Sequence, residues 1–279
     1  MRRACEPRLQ GLKGLKGPRA ALAAAGALAV VAATAAAASP QPPCASPVYL
    51  TFDTGHMGVA PLVAEVLNRQ QVKVSFFLAQ ERTLNGGHSL DEEWAPWWRQ
   101  RAAEGHAVGS HTWDHWVWQA DTAGGWRFKA TQGPRAGQVF TATEADYCEQ
   151  LRRPQARWAA MTGQAMGPWF RAPAGRTSPS LEAAAQRCGF THVGWSPAGF
   201  LGDELPSPPH TNAKLLAQAL RQVRAGDVLV AHLGIWSRQE VWAPAVLEPL
   251  IEGLKAKGLC FATLHQHPVW GRVVPKEQT

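Results

Sequence analysis

The sequence predicts an α/β fold in which about seven parallel strands form a barrel covered by helices. Two observations lead to this prediction. From residue 47 onward, short apolar segments of strand length alternate with longer segments that have helical spacing. The short segments are apolar enough for parallel strands covered by helices. Because seven or so strand–helix units follow one another, a barrel is favoured over an open sheet.

The individual elements follow from the same pattern. Strands are predicted at residues 47–53, 72–79, 106–111, 169–173, 190–196, 227–233 and 259–264. Helices are predicted at residues 60–71, 94–105, 143–163, 180–189, 213–226 and 243–258, with Pro154 interrupting the third. Residues 81–93 and the Gly- and Trp-rich residues 116–141 break the alternation, and we interpret them as loop insertions on the binding face.

The first 38 residues have the pattern of a targeting segment. A basic stretch ends at Arg19, and the uncharged, Ala-rich residues 20–38 follow it, with Ala36 and Ala38 placed as in a cleavage site. A signal peptide cleaved after Ala38 and an uncleaved membrane anchor both fit this pattern. We therefore expect a periplasmic or secreted protein that meets a membrane only through its N-terminal segment.

The rest of the chain divides simply. Residues 39–46 are a Pro-rich linker, residues 47–270 are expected to form one folded domain, and residues 271–279 are a tail. The formal charge of the 279-residue chain is +7, but residues 1–38 hold six basic residues and one acidic residue, which leaves only +2 for the remainder. With no basic patch there, nucleic-acid binding is not expected.

Cysteine and tryptophan usage gives two further expectations. Export permits disulfides, and Cys44, Cys148, Cys188 and Cys260 allow three pairings among which the sequence does not choose. The chain has 13 Trp against two Tyr, and the flat faces of Trp suit stacking on sugars. We interpret as a ligand groove the cluster of Trp94, Trp97, Trp98, Trp113, Trp116, Trp118 and Trp126, although any single one could equally belong to the core.

Five polar residues stand at predicted carboxyl ends of strands, where parallel α/β folds place their catalytic groups. They are Asp53, His111, His115, Arg171 and His232. His111 and His115 lie four positions apart in GSHTWDHW, so both imidazoles can bind one divalent metal ion, with zinc preferred. An acid, two metal-binding histidines, an arginine and a further histidine are the components of metal-assisted hydrolysis.

Six segments between residues 47 and 266 carry a resemblance to a known family. In chain order they are YLTFDTG, SFFLA, EGHAVGSHTWDH, FRAPAG, GFTHVGWS and AGDVLVAHLG. They resemble the successive motifs of the polysaccharide deacetylase family, also called the NodB-homology family or carbohydrate esterase family 4. The resemblance implies a distorted (β/α) barrel that removes acetyl groups from an acetylated glycan. Peptidoglycan, chitin-like oligomers and an exopolysaccharide fit equally well.

The resemblance also implies a role for each residue. Asp53 would be the general base, paired with Arg171, and His232 the general acid. His111 and His115 would hold the metal. Pro173 and Gly175 would shape the cleft, and Trp195 and Leu233 would line the acetyl pocket.

Two positions depart from the family pattern. Thr54 stands where the family usually has a second, metal-binding aspartate, which leaves the site one negative charge short. Thr54 itself, a water molecule or His56 could replace that ligand. Ala198 stands where an aspartate often orients the acid histidine. Asp203 is a displaced candidate, whereas Asp227, just before a predicted strand, stands at the wrong end of it.

These departures leave two alternatives beside a metal-dependent deacetylase. One is a glycan-binding pseudoenzyme of the same fold with a degenerate metal site. The other is an amidase that acts on a different, small substrate.

Overall fold

The computed structural model describes residues 44–272. The predicted targeting segment and most of the predicted linker and tail lie outside these residues, so that division of the chain stays a prediction. Within residues 44–272, no helix is both long enough and apolar enough to cross a membrane.

Seven parallel strands form the main sheet, as predicted. They are β1 (Pro47–Asp53), β2 (Ser75–Leu78), β3 (Ala107–Ser110), β7 (Trp169–Phe170), β8 (Thr191–His192), β9 (Val228–His232) and β10 (Cys260–Phe261), numbered with three further strands described below. Their order is β10-β1-β2-β3-β7-β8, and β9 also pairs with β1. The register places Asp53 opposite both Phe77 of β2 and His232 of β9.

The segment that follows β8 closes the sheet into a distorted barrel. Ser196 donates its N–H to Val228 O at 3.0 Å, and Leu201 donates to Val230 O at 3.3 Å, so this segment runs alongside β9. A single parallel bridge joins Phe200 to Val230. Closure therefore depends on irregular backbone rather than on a full strand, which accounts for the distortion.

Alternation along β1 decides which side chains face the barrel interior. Val48, Leu50 and Phe52 belong to the large core shared with the helices, whereas Tyr49 packs in a separate interior cluster. Asp53, four residues after Tyr49, shares its face. The strand pattern thus places a carboxylate inside the barrel at the carboxyl end of β1.

Within the described part of the chain, six α-helices cover the barrel. They are α1 (Ala60–Arg69), α2 (Ala95–Ala103), α3 (Glu144–Thr162), α4 (Pro179–Arg187), α5 (Asn212–Gln222) and α6 (Leu247–Ala256). Helix α3 begins with a capping box between Thr143 and Asp146 and ends at Gly163, whose φ of 71° is left-handed. The predicted interruption at Pro154 is wrong, because α3 continues through it.

The predicted loop at 116–141 is also wrong for most of its length. It folds into an antiparallel sheet of β4 (Trp116–Thr122), β5 (Gly125–Ala130) and β6 (Val139–Ala142). Along β5, Trp126, Phe128 and Ala130 are buried while the residues between them are exposed. This period of two is the signal of a half-buried strand, and it outweighs the local glycines.

The Trp cluster predicted to line a groove packs into the cores instead. Trp98, Trp116 and Trp126 are buried, and Trp94, Trp97, Trp113 and Trp118 lie against the two larger core clusters. Trp98 contacts Trp97 edge to face at 4.5 Å between ring centroids. Most of this cluster therefore supplies core volume, although Trp94 and Trp97 also line a surface cavity away from the five selected polar residues.

Residues 44–272 contain two disulfides, which resolve the three possible pairings. Cys44 is bonded to Cys260, which joins the residues before β1 to β10, and Cys148 is bonded to Cys188, which joins α3 to the end of α4. Both pairs connect elements that are distant along the chain.

Removing the Cys44–Cys260 bond, by Cys44→Ser with Cys260→Ser, should lower the melting temperature more than removing the other bond. The bonded residues are 216 positions apart, against 40 for Cys148 and Cys188. Loop-closure entropy then gives an upper limit of about 5 kcal/mol for the first bond and about 4 kcal/mol for the second. Thermal unfolding of both double variants measures the difference, and titratable thiols in the native protein would contradict the pairing.

Candidate active site

The centre of the site is a buried ion pair between Asp53 and Arg171. Arg171 Nη1 donates to Asp53 Oδ1 at 2.7 Å, and the two side chains are 4% and 0% exposed. Two further guanidinium donors reach the carbonyls of Val193 at 3.2 Å and Gly194 at 3.3 Å. The guanidinium also lies 4.2 Å from the centroid of the Phe77 ring. Arg171 is thus held by three hydrogen bonds and fixes the Asp53 carboxylate.

This environment keeps Asp53 charged. Burial raises the pKa of its carboxyl. The surrounding charges, that of Arg171 foremost, lower the pKa by more than burial raises it, so it lies below its ordinary value. A charged, immobilised carboxylate at the carboxyl end of β1 can accept a proton.

His111 and His115 come together in a tight loop after β3. Thr112 and His115 have left-handed φ angles of 58° and 49°, conformations that non-glycine residues seldom adopt. The loop brings the two imidazole centroids within 4.9 Å of each other.

Hydrogen bonds leave the same nitrogen free on both rings. His111 Nδ1 lies 2.9 Å from the carbonyl of Arg171, to which it donates. His115 Nδ1 lies 2.6 Å from Thr131 Oγ1, whose own hydroxyl points to the His115 carbonyl. A neutral ring that donates from Nδ1 presents its lone pair on Nε2, the form that a metal requires, and both rings have their Nδ1 placed for this. Burial lowers the pKa of His111 to about 4, which keeps it neutral.

Helix α3 anchors this loop through Gln150. Trp113 N–H donates to the Gln150 carbonyl at 2.9 Å. Pro154 has no N–H to offer that carbonyl from the next turn, so the carbonyl is available. The Gln150 side chain also accepts from Asp114 N at 2.7 Å and donates to Asp114 Oδ2 at 2.9 Å. The histidine loop is thus tied to the helix by three hydrogen bonds.

His232 lies beside Asp53, at the end of β9, and is held by Asp203. Asp203 Oδ2 accepts the His232 backbone N–H at 2.7 Å, and Oδ1 lies 3.1 Å from Nδ1. Glu204 lies 3.8 Å from His232 Nε2. Burial lowers the pKa of the imidazole, but these carboxylates, Asp203 foremost, outweigh it and raise the pKa to about 10. His232 is therefore a charged donor at neutral pH.

Asp203 thus supplies the carboxylate that orients His232, which Ala198 cannot supply. Asp227 lies at the opposite end of β9, where its side chain accepts the Arg224 N–H at 2.8 Å.

A cavity of about 150 Å³ joins these groups. Its lining residues are Asp53, Glu81, His111, His115, Ala174, Trp195, Phe200, Glu204, Val230, His232 and Ile235. Pro173 and Gly175 flank Ala174 and support the wall. A Cβ on Gly175 would stand 2.5 Å from the Trp195 ring. Leu233 is fully buried behind the cavity, and its N–H donates to the carbonyls of Asp53 and Thr54, both at 2.9 Å.

Thr54 and His56 do not lie where the sequence interpretation needs them. Thr54 is fully buried, and its hydroxyl both donates to Glu81 Oε2 and accepts the Ala79 N–H, so it is already engaged. His56 lines a second cavity of about 360 Å³ next to Trp236. Thr54 as a metal ligand and His56 as its substitute are therefore both unsupported.

The remaining donors fit a divalent ion by their chemistry. Two imidazole Nε2 atoms with hydrogen-bonded Nδ1 partners and nearby carboxylates are the donor types that zinc prefers. As the side chains stand in residues 44–272, no group of three His, Cys, Asp or Glu residues surrounds one ion position. Binding therefore requires a third donor to approach His111 and His115.

Sequence reasoning missed four residues of this site. Glu81 follows β2, Thr131 follows β5, Gln150 lies on α3 and Glu204 follows Asp203. Glu81 alone carried a usable signal, since it is polar and stands shortly after a predicted strand, like the five residues that were selected.

Comparisons with known proteins identify the family of the chain. A family model described as polysaccharide deacetylase matches residues 41–193. A chitooligosaccharide deacetylase of Azorhizobium caulinodans is 26% identical over 231 residues, 78% of this chain and 93% of that protein.

Two solved structures have a similar fold. A family 4 acetyl xylan esterase from Clostridium thermocellum, in complex with a cobalt ion, has a TM-score of 0.59 and 22% identity, over 78% of this chain and 88% of that one. A family 4 pseudoenzyme from Bacillus anthracis has a TM-score of 0.58 and 17% identity, over 80% of this chain and 65% of that one.

Asp203→Asn should lower the pKa of His232, because it removes the negative charge that contributes most to raising it. The imidazole then loses its proton at a lower pH, and any activity that needs the charged form declines at a lower pH. Titration of His232 by NMR in the wild type and the variant measures the shift. Asp227→Asn, at the opposite end of β9, is the matched control, and equal His232 pKa values in all three proteins would contradict the role of Asp203.

Gln150→Ala should loosen the histidine loop while leaving α3 folded. The variant loses both side-chain hydrogen bonds to Asp114, each worth about 1 kcal/mol. Hydrogen exchange of the Asp114 amide should accelerate roughly tenfold or more. Glu149→Ala, an exposed position on the same helix, is the control, and unchanged protection in Gln150→Ala would show that the loop holds itself.

Proposed function

We propose that this chain, which belongs to the polysaccharide deacetylase family, is an exported, metal-dependent hydrolase that removes acetyl groups from the amide nitrogens of a glycan. One observation carries the proposal. A base and an acid with opposite charges, Asp53 and His232, stand on adjacent strands at the edge of one cavity. A module that only binds glycans has no need of that pair.

The residues divide the reaction between them. His111 and His115 would hold the divalent ion, with zinc proposed; when bound, such an ion polarises the acetyl carbonyl and makes a water molecule more acidic. Asp53, charged and fixed by Arg171, accepts the proton of the attacking water. His232, charged and oriented by Asp203, donates a proton to the departing amine.

The cavity suits an acetyl group rather than a whole sugar. Its volume is about 150 Å³, and Trp195, Phe200, Val230 and Ile235 supply its apolar wall. The sugar would therefore remain outside, and acetylated peptidoglycan, chitin-like oligomers or an exopolysaccharide are the proposed substrates.

Export is proposed from the N-terminal pattern and has independent support. Two disulfides join distant elements of the described chain, and disulfides of this kind form in oxidising compartments. A periplasmic or secreted location follows, with residues 20–38 as the alternative membrane anchor.

A glycan-binding pseudoenzyme is the second candidate. It is favoured by the absence of a carboxylate at position 54 and by the engaged hydroxyl of Thr54. An assay of acetate release separates the two candidates, because a pseudoenzyme binds acetylated oligosaccharides without releasing acetate.

Asp53→Asn should reduce acetate release from N-acetylated oligosaccharides by about 100-fold or more, since removal of a general base costs about 10² to 10⁴. Its zinc content should stay near that of the wild type, because the imidazoles of His111 and His115 remain. Acetate assays and elemental analysis measure both quantities. His111→Ala is the contrasting variant and should lose the ion. Turnover in Asp53→Asn equal to that of the wild type would remove Asp53 as the base, and acetate release only from small non-glycan amides would favour the amidase alternative.

A further inference from the structure

Thr54, which stands where the family usually has a second aspartate, contacts a carboxylate from elsewhere in the chain. Thr54 is fully buried and is not among the residues that line the site cavity. Its hydroxyl donates to Glu81 Oε2 at 2.5 Å and accepts the Ala79 N–H at 3.1 Å. The Thr54 hydroxyl therefore points to the Glu81 carboxylate and not to the cavity.

That carboxylate reaches the same cavity from the neighbouring strand. Glu81 follows β2, which pairs with β1, and its side chain lines the cavity together with His111 and His115. Besides the Thr54 hydroxyl, Oε2 accepts the Gly55 N–H at 2.5 Å. Among the described residues Oε1 has no hydrogen-bond partner. One oxygen is thus anchored while the other remains available to a ligand.

The backbone around Glu81 is fixed. Its N–H donates to Ser89 Oγ at 3.0 Å, and its carbonyl accepts the Ser89 N–H at 2.8 Å. Ser89 is fully buried, and its hydroxyl donates to the Ala79 carbonyl at 2.5 Å. The adjustment that an ion requires therefore falls to the Glu81 side chain, which has three rotatable bonds.

We propose that Glu81 is the carboxylate ligand of the divalent-metal site, with His111 and His115, and that Thr54 anchors it. This inference rests on the proposed function only in assuming a metal ion at the two histidines. Glu81 restores the negative charge that Thr54 lacks. A carboxylate ligand held by a hydroxyl and a backbone N–H has the supporting hydrogen bonds that protein metal sites commonly show. The ion must draw Glu81 closer to the two imidazoles than it stands here.

Moving the carboxylate from position 81 to position 54 tests this assignment. If Glu81 is the ligand, Glu81→Gln should weaken Zn²⁺ binding by more than about 10-fold, the lower end of the effect of losing a ligand's hydrogen-bond partner. Thr54→Asp should then restore binding in the Glu81→Gln background. In the wild type, Thr54→Asp should not tighten binding, because it sets two carboxylates against each other.

The experiment is calorimetric titration of the purified exported chain with Zn²⁺, supported by the visible absorption spectrum of the Co²⁺-loaded protein. Glu204→Gln is the matched control, because Glu204 lines the same cavity but lies beside His232; its Zn²⁺ affinity should stay within about threefold of the wild type. Melting temperatures establish that each variant is folded.

Three results would overturn the assignment. The first is a Zn²⁺ affinity in Glu81→Gln equal to that of the wild type. The second is an equal loss of Zn²⁺ affinity in Glu81→Gln and Glu204→Gln, which would indicate only a general charge effect. The third is that the wild type binds neither Zn²⁺ nor Co²⁺. If Glu81→Gln does not fold, the Co²⁺ spectrum of Glu81→Asp decides: an unaltered spectrum overturns the assignment, and a shifted one supports it. A chain that binds Zn²⁺ through Glu81 but releases no acetate would refute the proposed deacetylase while leaving the ligand in place.

Discussion

The buried pair of Asp53 and Arg171 is the interaction on which the site depends. It joins the ends of β1 and β7, and through Val193 and Gly194 it also fixes the residues after β8. The Arg171 carbonyl holds the ring of His111. Loss of either partner would leave an uncompensated buried charge, at a cost of about 3–5 kcal/mol. Arg171 thus links Asp53, His111 and the residues after β8 through its side chain and its carbonyl.

The same surroundings give neighbouring groups opposite charges. Burial alone would favour the neutral form of both Asp53 and His232. Each is charged because a partner of opposite sign stands at hydrogen-bond distance, Arg171 for one and Asp203 for the other. The barrel supplies these partners from separate strands and loops, so a closed sheet is a requirement of the chemistry as well as of stability.

The alternation of apolar strands and amphipathic helices was sufficient to predict the barrel, and the rule that polar residues follow strand ends selected Asp53, His111, His115, Arg171 and His232. The antiparallel sheet at 116–142 was obscured by glycines, although the alternation along β5 was present. Disulfide pairing could not be predicted, because it depends on distances between elements far apart in the chain. Glu81 carried the same signal, a polar residue shortly after a predicted strand, but was not selected. Gln150 acts through hydrogen bonds from α3 to the histidine loop, and no spacing in the sequence records such contacts.

Pro154 has a consequence beyond its place in α3. A regular helix keeps its backbone carbonyls for itself, whereas this one leaves the Gln150 carbonyl for Trp113. Because Pro154 has no N–H, the Gln150 carbonyl is bonded by the loop and not by the next turn of the helix. A residue with an N–H at position 154 would improve the helix as an isolated element and, at the same time, compete with the loop. The proline that costs α3 one internal hydrogen bond thus gives the loop of His111 and His115 one of its anchors.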